Sequence, residues 1–187
     1  MKILVTGASG LIGKNLVQQL LARGHEPVSL WRRLEAHKES SPIVIGDITN
    51  EDSIRRAFAE VRPDAVVHLA AQSSVPQSYL SPQENARVNF VGTMNVLNSA
   101  QDSKVSRVII ASSSEVYGNT PERAHEDDHY RPDSPYGQSK ALAESLFLTA
   151  NNIYPHGPRY SVVRYGNVWR SPGSVVQSIE VDLVSPK

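Results

Sequence analysis

The segment Lys2-Ile3-Leu4-Val5-Thr6-Gly7-Ala8-Ser9-Gly10-Leu11-Ile12-Gly13 joins a short apolar run to a turn punctuated by three glycines. Lys2–Thr6 reads as a buried strand, Gly7–Gly10 as the turn, and Leu11–Arg23 (LIGKNLVQQLLAR) as an amphipathic helix with apolar residues at helical spacing, stopped by Gly24. Glycines at a tight turn are often only structural. At a strand-to-helix junction they also shape an anion site, because the first helical amides lack intrahelical partners and the helix dipole favours negative charge. In that context Gly7 permits the turn, Gly10 lets the backbone approach a diphosphate, and Gly13 allows the helix to pack closely on the strand. Ser9, Leu11 and Ile12 complete the expected cofactor loop.

Beyond this unit the alternation continues. Strands are expected at Pro27–Trp31, Ile43–Ile45, Ala65–Leu69, Arg107–Ala111 and Tyr160–Tyr165, with helices near Glu51–Glu60 and over Pro82–Ala100 and Pro135–Ala150. Strands separated by helices imply right-handed crossovers and a parallel sheet covered on both faces. The expected fold is α/β, a doubly wound Rossmann sheet. Pro121–Asp133 is charged, carries proline and reads as a loop of the kind that borders active sites.

Composition narrows the function classes. At 187 residues and 40% hydrophobic, the chain has one core's worth of sequence, and its 19 basic residues balance its 19 acidic ones. No global field would draw in nucleic acid or an anionic membrane, so an anionic ligand must be held locally. The absence of cysteine excludes disulfides and thiolate metal sites, and no metal site is expected. The apolar run at the start is too short for a membrane span or a signal segment, and a cytoplasmic location is expected.

Three features after the glycine turn carry chemistry. An NAD site usually has an acid at the end of the second strand to bind the ribose hydroxyls, whereas this chain has Trp31-Arg32-Arg33. Arg32 and Arg33 suit a 2′-phosphate, which favours NADP with NAD as the alternative; an exposed basic loop is the competing reading. Asp47, before Ile48, could meet the adenine amino group or simply start a turn. Tyr136 and Lys140, four apart in Ser134-Pro135-Tyr136-Gly137-Gln138-Ser139-Lys140, share one helix face, where an ammonium favours the phenolate needed to take a hydroxyl proton. The hydroxyl-rich Ser112-Ser113-Ser114-Glu115 follows the fifth strand at the sheet edge where such folds bind ligands.

Taken together, Thr-Gly-x-x-Gly-x-x-Gly, Ser-x-x-Val-Tyr-Gly, Ser-Pro-Tyr-Gly-x-Ser-Lys and Arg164-Tyr165-Gly166-Asn167-Val168 resemble the extended short-chain dehydrogenase/reductase family of nucleotide-sugar epimerases and dehydratases. His68-Leu69-Ala70-Ala71-Gln72-Ser73-Ser74-Val75 and Asn89-Phe90-Val91-Gly92-Thr93 look like two further family segments. The resemblance implies catalytic roles for Ser113, Tyr136 and Lys140. It implies cofactor contacts from Leu69, Ala70, Ala71 and Tyr165, and substrate contacts from Ser73, Asn89, Ser113 and Asn167. The implied reaction oxidises a sugar 4-hydroxyl to a 4-keto intermediate on a GDP- or UDP-linked sugar. Glu115 matches the base of 4,6-dehydratases and favours that branch, with 4-epimerases and 4-keto-sugar reductases as alternatives and a loop-positioning acid as the plain reading. His68, at the end of an apolar strand, reads as a packing residue.

The family also implies a homodimer and a C-terminal substrate domain. Residues 1–170 are expected to form the dinucleotide-binding and catalytic domain, and residues 171–187 the start of a largely missing substrate-binding region. A non-catalytic dinucleotide-binding module is the alternative from another class.

Overall fold

The computed structural model describes residues 1–33, 40–120 and 123–168. Six parallel strands form one sheet: β1 (Lys2–Thr6), β2 (Glu26–Trp31), β3 (Ile43–Ile45), β4 (Ala65–His68), β5 (Arg107–Ser113) and β6 (Arg159–Tyr165). Their order across the sheet is β3-β2-β1-β4-β5-β6. The chain therefore leaves β1 in one direction for β2 and β3, and in the other for β4, β5 and β6. That reversal opens a crevice at the carboxyl ends of β1 and β4, the place where ligands bind in doubly wound sheets.

Alternation along β1 shows how the layers form. Leu4 faces a core shared with Ile54 and Phe58 of α2 (Glu51–Val61), Val96 and Leu97 of α5 (Gly92–Asp102) and Phe147 of α6 (Pro135–Ile153). Ile3 and Val5 face the opposite side, against Val17 of α1 (Leu11–Ala22) and Trp31. Successive strand residues point to opposite faces, so a strand this apolar is covered on both sides. α1 ends before Gly24, whose φ of +76° supplies the left-handed stop expected of it.

Two elements differ from the sequence expectation. α3 (Val75–Leu80) follows β4, started by Ser74, which accepts from the Gln77 amide, and by Pro76 in the first turn. At six residues it is too short to show periodicity. The helix expected over Pro82–Ala100 is broken into α4 (Pro82–Ala86), a π segment (Arg87–Val91) and α5. A π segment inserts an extra residue into the turn and commonly lies at functional sites; here it carries the buried Asn89. β1 and β3 keep the expected bounds, a 3-10 turn over Ser114–Tyr117 follows β5 unannounced, and the remaining elements extend the expected ranges by one to three residues or shorten them by one, within the usual uncertainty of helix and strand ends.

Candidate active site

The glycine turn closes onto β4. A Cβ on Gly7 would lie 2.6 Å from the Ala70 nitrogen, and one on Gly13 would lie 2.3 Å from the Gly7 oxygen and 2.6 Å from Ala8 Cα. Both contacts are with backbone, so these two glycines are required by packing alone. Gly10 differs: its Cβ would meet only the Gly7 oxygen, at 3.3 Å. Gly10 is also the residue preceding α1, and it offers no side-chain cap. The first turn of α1 carries no acid. An uncapped helix start with an open approach at Gly10 fits the diphosphate of a dinucleotide, because the amides there need an acceptor from outside the helix.

A cleft of about 1150 Å³ runs from this turn along the carboxyl ends of the strands to β5 and α6. Gly7, Ser9, Gly10, Leu11, Ile12 and Gly13 line its floor. Arg32, Arg33, Asp47 and Ile48 line one end, and Leu69, Ala70, Ala71 and Ser73 its middle. Ser113, Glu115, Tyr136, Lys140, Tyr165 and Asn167 line the other end. Asn89 is the one residue named from the sequence that does not line it.

Asn89 is 1% exposed and its amide is committed elsewhere. It accepts from the Gln72 amide at 2.8 Å and donates to the Gln72 carbonyl and the Ser139 hydroxyl, each at 3.0 Å. Through these bonds Asn89 ties the segment after β4 to the helix that carries Tyr136 and Lys140. At the other end, Asp47 accepts from the amide and hydroxyl of Thr49 at 2.9 and 2.8 Å. Burial raises the pKa of its carboxyl, but those two hydrogen bonds and the charges of Arg32 and Arg87 outweigh it and hold the group below its usual value. The turn-forming reading of Asp47 is therefore realised, and its carboxylate remains at the cleft wall. Trp31, ending β2 beside the arginines, is buried and lines the same wall; its indole N–H has no hydrogen-bond partner.

The reacting end is built on the start of α6. Ser134 accepts from the Gly137 amide at 3.0 Å and Pro135 occupies the first helical position, so the helix begins one residue before Tyr136. The Tyr136 amide donates to the buried Ser78 of α3 at 3.2 Å. Lys140 lies one turn on, its Nζ donating to the Ala111 carbonyl at 2.9 Å and lying 6.0 Å from the centre of the Tyr136 ring. Burial pushes the lysine down to about 8, partly opposed by the nearby Glu144 carboxylate. The phenol departs from the sequence expectation. Burial pushes the Tyr136 pKa up, hydrogen bonding with Ser113 pulls it down, and the Glu115 carboxylate raises it further. Desolvation outweighs any help from the lysine, which sits over the ring and bonds to a carbonyl.

His68 bridges Thr6 and Thr93, with Nδ1 2.6 Å from one hydroxyl and Nε2 3.0 Å from the other. Burial, and secondarily the Lys140 charge, push its pKa down to about 3, so it is a neutral core residue as expected. Ser78 and the unpartnered Trp31 indole carried no local signal.

Residues 3–175 match the NAD dependent epimerase/dehydratase family. The chain belongs to that family. It is 32% identical over 173 residues to a UDP-glucose 4-epimerase of Azospirillum brasilense, covering 89% of this chain and 49% of that protein. It is 36% identical over 151 residues to a GDP-6-deoxy-D-mannose reductase of Pseudomonas aeruginosa, covering 79% and 46%. Among solved structures, the Thermus thermophilus UDP-glucose 4-epimerase in complex with NAD superposes with a TM-score of 0.86 at 33% identity, over 97% of this chain and 61% of that one. The chain thus spans about half the length of the curated relatives it matches.

The extended short-chain dehydrogenase/reductase resemblance and the Rossmann fold are therefore borne out. The relatives include epimerases and a reductase, so the 4,6-dehydratase branch has no special support from them. Residues 169–187, where the start of a substrate region was expected, lie outside the described residues. Among the described residues, no helix is long and apolar enough to cross a membrane.

Proposed function

We propose that this chain forms the cofactor-binding and catalytic part of a nucleotide-sugar 4-epimerase, acting by reversible oxidation of the sugar 4-hydroxyl. The observation that carries the reading is the convergence of Ser113, Tyr136 and Lys140 at one end of a cleft whose other features suit a dinucleotide. When bound, the nicotinamide supplies the hydride acceptor and donor. Ser113 offers a hydroxyl to the reacting oxygen. Tyr136 takes the hydroxyl proton as the carbonyl forms and returns it when the carbonyl is reduced. Lys140 supplies the positive charge that favours the phenolate, and its bond to the Ala111 carbonyl fixes where that charge stands. Similarity to UDP-glucose 4-epimerases supports the UDP-linked substrate and the epimerase branch.

A 4,6-dehydratase is the second reading, and one observation favours it. Glu115 lines the reacting end and its charge reaches the Tyr136 phenol, which suits a base for the carbon next to a 4-ketone. Incubation of the protein with cofactor and UDP-glucose, followed by separation of the sugars, distinguishes the two. UDP-galactose is the expected product; a 4-keto-6-deoxy sugar from UDP-glucose or GDP-mannose would replace the epimerase with the dehydratase. Tight cofactor binding with no turnover of any sugar would instead favour a non-catalytic binding module.

For the cofactor, Arg32 and Arg33 at the adenosine end support NADP, although the Thermus thermophilus relative was solved with NAD. Equilibrium binding to both forms tests this. Tighter NADP binding is expected, with the preference lost in Arg32→Ala/Arg33→Ala; equal affinity in the native protein would leave the arginines as surface residues.

A further inference from the structure

Arg164 of β6 lies outside the cleft lining, yet it binds four residues from three parts of the chain. Its Nε donates to both carboxylate oxygens of Glu144 in α6, at 2.7 and 3.0 Å. Nη1 donates to the Tyr117 hydroxyl and, at 2.7 Å, to the Glu126 carbonyl, while Nη2 donates to the Tyr130 hydroxyl at 3.0 Å. The guanidinium also faces both phenol rings, 5.0 Å from the centre of Tyr117 and 5.1 Å from that of Tyr130. Glu144 is 0% exposed, and it stands one helical turn after Lys140. Tyr117 ends the 3-10 turn Ser114–Tyr117, which contains Glu115. Residues 123–129 are exposed, and 130 is the half-buried point at which this loop meets the fold.

We infer that Arg164 is a positioning residue: its guanidinium clasps the Glu115 turn and the loop around Tyr130 onto α6, fixing the substrate-side wall of the cleft. This rests on reading Glu115, Tyr136 and Lys140 as the reacting end. The planar fork satisfies acceptors in several directions and presents a flat face to two aromatic rings, which a lysine ammonium cannot do. Besides Arg164, the loop is held by the Arg131 amide bond to the Val116 carbonyl at 2.9 Å, the Asn119 amide bond to Asp133 at 3.2 Å and a Tyr130–Glu144 hydrogen bond. Loss of Arg164 therefore leaves Tyr117 and Tyr130 without their shared partner, while the glycine turn keeps all of its own contacts.

A purely structural ion pair would behave differently. Removing the arginine alone strands a buried carboxylate, which destabilises the whole domain. Removing both charges, in Arg164→Met/Glu144→Gln, relieves that cost but does not restore the clasp. Amide hydrogen exchange and thermal melting of the native chain, Arg164→Lys, Arg164→Met and the double variant separate the two cases. The double variant is expected to regain most of the melting temperature lost by Arg164→Met, while exchange over residues 114–134 stays raised about tenfold in all three variants and residues 1–22 exchange as in the native protein. In turnover, KM for UDP-glucose rises about tenfold with the cofactor dissociation constant unchanged. Native-like exchange over 114–134 in the double variant, or in Arg164→Lys, would reduce Arg164 to a partner for Glu144 and overturn the inference. A native chain that turns over no sugar defeats the proposed reaction instead; the exchange measurement still decides the role of Arg164.

Discussion

At the scale of single residues, the reacting end holds two groups whose ionisations run in reverse order. Tyr136 is pushed up by burial, and Lys140 is pushed down to about 8. In the proposed reaction, the form competent for proton abstraction is a phenolate beside an ammonium, a minority state of the coupled pair. Below about pH 8 the lysine stays charged and the phenolate fraction grows about tenfold per pH unit. Above that value further gain in phenolate is cancelled by loss of the ammonium. The logarithm of kcat/KM for sugar oxidation is therefore expected to climb to about pH 8 and then level, as measured by initial rates in buffers of constant ionic strength. A profile already flat below pH 7 would contradict this assignment. Tyr136→Phe removes the proton acceptor and is expected to lower turnover by roughly 10²- to 10⁴-fold while cofactor binding persists.

At the scale of elements, the strand-turn-helix unit separates glycines required by packing from Gly10, which the proposed function assigns to the cofactor diphosphate. Gly13→Ala drives a methyl into the backbone of Gly7 and Ala8 at 2.3 to 2.8 Å, so α1 must lift from β1, costing about 3 kcal/mol or more. Gly10→Ala meets one atom, at 3.3 Å, and is expected to cost under about 1 kcal/mol, while cofactor affinity falls sharply because the methyl occupies the approach to the helix start. Denaturant melts and cofactor titrations of the two variants give opposite rankings if this division is right. The pattern of the unit was legible because every signal in it is local: apolar run, glycines, helical spacing. The succession of later strands and helices along the chain was legible for the same reason. The broken helix at Asn89 was not, since a π segment leaves the composition of a helix unchanged. Neither was the Arg164 cluster, whose bonds to Tyr117 and Glu126 span 47 and 38 residues. Spacing within a helix revealed the Tyr136–Lys140 pair; it could not reveal that burial, a term set by the whole fold, would dominate the phenol.

At the scale of the whole molecule, the sheet reversal between β1 and β4 concentrates buried polar groups under the cleft, and His68 is the one among them that couples stability to pH most directly. The imidazole is 3% exposed and held between Thr6 and Thr93, joining β1, β4 and α5. Its pKa is near 3 in the folded chain and near 6.5 in the unfolded one. As pH falls through 6.5 the unfolded chain takes up a proton that the folded chain refuses, so stability present above pH 6.5 is lost progressively down to about pH 3. Each pH unit within that window contributes about 1.4 kcal/mol, or roughly 2 kcal/mol between pH 6.5 and 5, before the carboxylates titrate. His68→Asn keeps a polar group between the two threonines but cannot be protonated. It is expected to lower stability at pH 7, through packing and poorer hydrogen bonds, yet to lose about 2 kcal/mol less than the native chain on acidification to pH 5. Urea unfolding of both proteins at the two pH values measures the difference. Parallel losses would mean that the acid sensitivity arises elsewhere and that the imidazole accepts a proton in place, with the Thr6 and Thr93 hydroxyls turned to receive it.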